Sequence, residues 1–141
     1  MTRSAIEAAI PHRAPMLLLD EIVQQSERHI HCRKTFREDE YFFQGHYPDY
    51  PLVPGVILCE TGMQAGAVLL SAVTPQDGRV PVATRMNDVK WKKMVRPGDM
   101  IDIEVTLNEQ LADAYFLSAK ITCDGKLAAR YSFACTMAPR E

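Results

Sequence analysis

The chain has 141 residues, 47% apolar and 24% charged, which suits one soluble domain spanning residues 1–141 with a sizeable core. Sixteen basic and eighteen acidic residues give a formal net charge of −2, so the chain as a whole carries no electrostatic footprint for nucleic acid or an anionic membrane. The four cysteines (Cys32, Cys59, Cys123, Cys135) contain no CxxC pair and the first seven residues hold no apolar signal core, so the expectation is a cytoplasmic protein with reduced thiols.

In chain order, Pro11 to Pro15 reads as a turn and Met16 to Ile22 as an apolar strand. His29 to Phe36 alternates, with Ile30, Cys32 and Lys34 facing one way, the period of a half-buried strand. A turn follows at Gly45-His46-Tyr47-Pro48. From Pro54 to about Ala72 runs a helix, with Pro54 in the first turn, where a missing N–H costs nothing, and Thr74-Pro75-Gln76-Asp77-Gly78 as its stop. It is nearly long enough to span a bilayer, but Glu60, Gln64 and its small residues mark it as a core helix. Strands follow at Val82 to Trp91, Met100 to Leu107, Tyr115 to Cys123 and Leu127 to Met137. Arg96-Pro97-Gly98-Asp99 reads as a turn, and Asp124-Gly125 as a two-residue hairpin. One long apolar helix with about six strands implies an α+β fold, an antiparallel sheet wrapped around the helix. A helix this apolar needs more cover than one small sheet gives, which favours a two-fold dimer.

The chemistry concentrates between residues 45 and 64. Glu60 is the only carboxylate between Leu52 and Val73 and stands fourteen positions after His46. A carboxylate among apolar residues is costly to ionise, which makes it a candidate proton donor near neutral pH, and an imidazole beside it would complete an acid/base pair. Taken singly, His46 reads as a satisfied turn histidine and Glu60 as a buried acid in a structural hydrogen bond. Gln64 lies one helical turn beyond Glu60, on the same face. His29-Ile30-His31 puts two imidazoles on one strand face, a candidate metal pair, but no third ligand is evident and a solvated face is the simpler reading. Cys59 points away from Glu60 and reads as core; Met63, Met86, Phe42 and Phe43 are core or the lining of an acyl tunnel. Arg85, Lys90, Lys92, Lys93 and Arg96 form a locally basic stretch, either a solvated face or a docking site for an acidic partner.

The run GHYPDYPLVPGVILCETGMQAG, residues 45–66, resembles the active-site segment of the 3-hydroxyacyl-acyl-carrier-protein dehydratases, the hot-dog enzymes of bacterial fatty-acid synthesis. Ile10 to Asp20 resembles the family's amino-terminal motif, Glu40 to Gln44 the approach to the histidine, and Asp88 to Asp99 the later strand and turn, so the resemblance covers essentially the whole chain. It implies a hot-dog fold, His46 and Glu60 as the catalytic pair, Gly55 as the backbone donor to the thioester oxygen, and Gln64 as the residue beside the acid. It also implies acyl carrier protein as the partner that presents the thioester. Each site would be shared between two chains of a homodimer, which often assembles further as a trimer of dimers. Departures are Asp49 for glycine, Tyr47 for phenylalanine, Thr61-Gly62 after the acid, and Lys92 for arginine.

The implied reaction takes a proton from C2 of a (3R)-3-hydroxyacyl thioester and expels water from C3, giving the trans-2-enoyl thioester, and it requires no metal or organic cofactor. His46 would act as base, Glu60 would protonate the leaving hydroxyl, and the helix N-terminus at Gly55 would stabilise the enolate-like oxygen. Two other readings compete: a hot-dog acyl thioesterase, which generally lacks the histidine turn, and a non-catalytic acyl-binding partner subunit, against which the intact His46 and Glu60 weigh.

Overall fold

The computed structural model describes residues 2–139. Its elements are α1 (Arg3–Ala9), β1 (Glu21–Gln25), β2 (His29–Thr35), α2 (Gly55–Val73), β3 (Arg79–Trp91), β4 (Met100–Leu111), β5 (Ala114–Cys123) and β6 (Lys126–Pro139), with a 3-10 turn at Tyr41–Phe43. The six strands form one antiparallel sheet in the order β1-β2-β4-β5-β6-β3, and α2 packs across its apolar face. This is the α+β arrangement expected.

Alternation builds that face. In β4, Ile101, Ile103, Val105 and Leu107 are buried while Asp102, Glu104 and Thr106 point outward. Register continues the apolar row across the sheet, with Cys32 opposite Ile103 and Ile103 opposite Ile121. Lys34 follows the inward side of β2, as its alternation implies, and is buried. Its ammonium lies 2.7 Å from Glu40 at the start of the turn leading to His46. Asp124 and Gly125 both have positive φ, 53° and 75°, the left-handed pair that a two-residue hairpin demands.

On α2, two glycines one turn apart let β6 approach. A Cβ at Gly62 would lie 2.0 Å from the Tyr131 hydroxyl, and one at Gly66 would lie 2.8 Å from the Phe133 ring. The Tyr131 hydroxyl donates to the Cys59 carbonyl. Burial, then the neighbouring Cys59 and Glu60, pushes this phenol above its ordinary range. All four cysteines are free and buried, and burial pushes Cys32 up to about 12 and Cys135 up to about 11. Although α2 is long and apolar enough to cross a membrane, it is mostly buried as the core helix.

Three elements differ from the sequence reading. The strand expected over Met16 to Ile22 begins only at Glu21; Leu17, Leu18 and Leu19 are buried but lie outside the ladder. The Leu18 N–H is taken by the side chain of Gln64, so it cannot serve a neighbouring strand. α1 was not anticipated: seven residues are too few to hold a helix in water, and it rests on tertiary packing of the fully buried Ile6. Pro54 caps α2 rather than occupying its first turn, its carbonyl accepting from the N–H groups of Ile57 and Leu58.

Replacing Gly62 by alanine should destabilise the fold although alanine favours helix. The propensity gain of about 1 kcal/mol is outweighed by an overpacking cost of about 1–3 kcal/mol, because Tyr131 is anchored by its own hydrogen bond. Urea denaturation should show a lower midpoint, partly recovered by adding Tyr131→Phe. A single variant more stable than wild type would show that Tyr131 yields freely.

Candidate active site

His46 sits in a turn that two left-handed residues make possible, Gly45 with φ of 80° and Tyr47 with φ of 53°. The turn is held from behind by Phe42 and Phe43, both buried in the core, and by the Lys34–Glu40 ion pair. His46 Nδ1 lies 3.0 Å from the carbonyl oxygen of Leu52. A carbonyl only accepts, so Nδ1 carries the proton and the neutral ring presents its lone pair at Nε2. The Tyr47 ring stands edge-on to the imidazole, 4.8 Å between centroids.

A cleft of about 410 Å³ opens beside His46, lined among others by Leu52, Gly55, Val56, Trp91 and Lys93. Gly55 starts α2, and neither its N–H nor that of Val56 is bonded to another group among the described residues. Two free N–H groups at a helix N-terminus suit an oxygen bearing negative charge. The space beside Gly55 holds Trp91. A Cβ at Gly55 would lie 2.7 Å from the indole nitrogen, which donates to the Gly55 carbonyl at 3.0 Å. Sequence reasoning missed Trp91 as a wall of the cleft, because an aromatic at a strand end reads as ordinary packing.

Glu60 is not among the residues lining this cleft. It lies on the partly exposed seam of α2 with Val56, Met63, Ala67 and Ser71. The enclosed carboxylate expected from the apolar helix is therefore half-buried in this chain, its side chain 23% exposed with polar neighbours. Oε2 accepts from the Gln64 amide at 2.9 Å and lies 3.8 Å from Nε2 of His12. Gln64 is buried and fully committed: its amide nitrogen also donates to the Met16 carbonyl at 2.9 Å, and its oxygen accepts the Leu18 N–H at 2.8 Å. His12 was not singled out from sequence. It stands 48 positions before Glu60, and no local spacing announces that the leading segment folds back over α2.

The remaining candidates separate from this site. His29 and His31 face Glu104 and Asp102 across the β2–β4 ladder, at 3.4 and 2.7 Å. Burial pushes Asp102 up, but hydrogen bonds from Arg33 and His31 and their charges outweigh it and hold the carboxyl below its ordinary range. Among the described residues no three His, Cys, Asp or Glu side chains gather as metal ligands. Cys59 is buried, Phe42 and Phe43 belong to the core, and Met63 and Met86 pack half-buried against it. The basic stretch divides: Lys93 lines the cleft and Arg96 stacks over Tyr50 at 4.6 Å, whereas Lys90 lies on the outer sheet face with Arg130.

A sheet rolled on one helix, with a histidine turn facing the helix start, defines a class of α+β hot-dog proteins, and the FabA-like domain model matches residues 10–132. A 3-hydroxyacyl-[acyl-carrier-protein] dehydratase FabZ from Streptococcus pyogenes is 39% identical over 132 residues, covering 92% of this chain and 95% of the relative. Its counterpart from Clostridium perfringens is 38% identical over 128 residues, covering 91% and 92%. The chain belongs to the 3-hydroxyacyl-[acyl-carrier-protein] dehydratases of the FabA-like family. The dehydratase heterocomplex ApeI:P from Xenorhabdus doucetiae shares the fold at TM-score 0.82 and 21% identity, covering 96% of this chain and 91% of that one. A hypothetical thioesterase from Streptococcus pneumoniae, solved with coenzyme A, shares it at TM-score 0.66 and 16% identity, covering 86% and 87%.

The commitment of Gln64 has a measurable consequence. Gln64→Leu keeps the volume but strands the Leu18 N–H and the Met16 carbonyl, at a cost of about 1–3 kcal/mol. Denaturation should show that loss, and a variant as stable as wild type would mean that these groups find other partners.

Proposed function

We propose that the chain dehydrates (3R)-3-hydroxyacyl-[acyl-carrier-protein] to the trans-2-enoyl thioester, as a hydro-lyase of fatty-acid synthesis. The observation that carries this reading is membership of the dehydratase family joined to the state of His46, whose Nδ1 proton is directed to Leu52 and whose Nε2 lone pair is available. Nε2 removes the C2 proton. Glu60 gives its proton to the C3 hydroxyl, which leaves as water, and the C2–H electron pair becomes the C2=C3 bond. The thioester oxygen gathers charge in the transition state, and the N–H groups of Gly55 and Val56, free among the described residues, are the donors that stabilise it. Gln64 holds Glu60 by one oxygen. No step calls for a metal or organic cofactor.

The partner that delivers substrate is acyl carrier protein, whose acidic surface suits Lys93 and Arg96 near the cleft and the exposed Lys92 beside them. The working unit is a homodimer, which the family resemblance extends to a trimer of dimers, and the location is cytoplasmic. Each active site is shared: His46 of one protomer works with the acid of the other. Support comes from the cleft, which His46 lines without Glu60, and from the partly exposed seam of α2 that bears Glu60. All of residues 1–141 serve as one catalytic domain.

His46→Ala and Glu60→Gln should each lower turnover by about 10²–10⁴-fold with little change in thermal stability; near wild-type turnover would remove that residue from its role. Mixing His46→Ala with Glu60→Ala chains tests the shared site. Random reassociation of equal amounts makes half the dimers mixed, each with one intact site of two, so activity should recover to roughly a quarter of wild type. A mixture shown to contain heterodimers that stays inactive would end the shared-site model.

A further inference from the structure

His12 Nδ1 is buried and is the one buried side-chain nitrogen or oxygen among the described residues with no hydrogen-bond partner. Nε2 of the same ring points to Glu60 Oε2, 3.8 Å away. The two facts together fix the ring's proton. A buried N–H without an acceptor is among the rarest groups in folded proteins, whereas a bare lone pair is better tolerated. The single proton of the neutral ring therefore belongs on Nε2. His46 holds the opposite tautomer, because the Leu52 carbonyl claims its Nδ1 proton. One imidazole presents a lone pair at Nε2, the other an N–H.

We infer that His12 is a positioning residue for the acid: with Gln64 it directs two N–H donors at Oε2 of Glu60, so that the transferable proton resides on Oε1. The inference rests on the role proposed for Glu60. Gln64 can only donate to Glu60, since its oxygen is already taken by the Leu18 N–H. An oxygen that accepts two N–H groups is the carbonyl-like one, and the acid proton goes to its twin. The 3.8 Å gap is wider than a hydrogen bond and closes by small rotations of two partly exposed side chains, as catalytic contacts do when substrate arrives. When Glu60 has released its proton, the same two donors stabilise the carboxylate.

Within this chain, the other charged and titratable groups near the pair among the described residues have partners of their own. Arg13, the adjacent cation, is turned away, its guanidinium donating to the carbonyls of Glu7, Ile10 and His12. From β6, Tyr131 gives its hydroxyl proton to Cys59. His12 is thus the sole side chain besides Gln64 that reaches the Glu60 carboxylate in the protomer among the described residues.

Two measurements test this. In protein labelled with ¹⁵N-histidine, long-range ¹⁵N–¹H spectra should show His12 protonated at Nε2 and His46 at Nδ1, each assigned by its absence from His12→Phe or His46→Ala protein. A neutral His12 protonated at Nδ1 would overturn the inference, and this readout needs no turnover, so an inactive protein would sink the functional reading without touching the tautomer. In kinetics, His12→Phe should lower kcat about ten-fold, the rate equivalent of one lost hydrogen bond, with KM little changed. His12→Gln, whose amide restores an N–H near the Nε2 position, should recover most of it. In a Glu60→Gln background, His12→Phe should cost nothing further. Equal damage from Phe and Gln, no damage from either, or losses that add to that of Glu60→Gln would each show that His12 does not act through Glu60.

Discussion

The side chain of Gln64 is the tie on which the arrangement around the acid depends. A buried primary amide has two hydrogens and an oxygen to satisfy, and here each is used: Met16 and Glu60 take the hydrogens, and Leu18 donates to the oxygen. Because those backbone groups belong to a segment before β1, the amide fastens the amino-terminal stretch across α2. Leu17 to Leu19 then leave the ladder while remaining buried, and His12 is carried up to Glu60. A single side chain thereby couples chain path, packing and the surroundings of the Glu60 carboxylate. Networks of this kind are costly when partly satisfied.

The opposite side of α2 is governed by shape. Gly62 and Gly66 leave grooves that the aromatic rings of β6 fill, and the Tyr131 hydroxyl bonds to the helix backbone one residue before Glu60. The helix is thus gripped by a glycine-lined face against the sheet and by Gln64 against the leading segment. What remains open is the seam carrying Val56, Glu60, Met63 and Ala67, together with the long strand β3 at the sheet edge, most of whose residues are exposed. An edge strand with unpaired backbone groups and an uncovered helix seam are surfaces that a second copy can cover.

The sequence was legible where a physical period or a turn rule operates. Alternation in β2 and β4, the Asp124-Gly125 hairpin and the apolar length of α2 all announce themselves locally, and the helix spacing puts Glu60 and Gln64 on one face. It was illegible where long-range contact decides. The run Met16 to Ile22 has strand composition, yet Gln64 takes the Leu18 N–H from 46 positions away. α1 is too short to declare itself, and Ile6 is the residue that it buries in the core. Trp91 filling the space beside Gly55, and His12 meeting Glu60, are likewise juxtapositions of distant segments. The histidine turn, by contrast, is readable from its glycine and its flanking prolines, although the tautomer of His46 needed the Leu52 carbonyl in place.

The central claim is that this chain adds and removes water at a double bond and leaves the thioester whole. The most direct measurement supplies purified protein with a trans-2-enoyl thioester on acyl carrier protein and follows enoyl absorbance and free thiol together. Dehydration is reversible, so the account predicts that absorbance falls to a steady equilibrium value, that the 3-hydroxyacyl carrier species appears by mass, and that no thiol is released. Thiol release in step with the absorbance loss, or an unchanged enoyl thioester in the presence of well-folded protein, would contradict it.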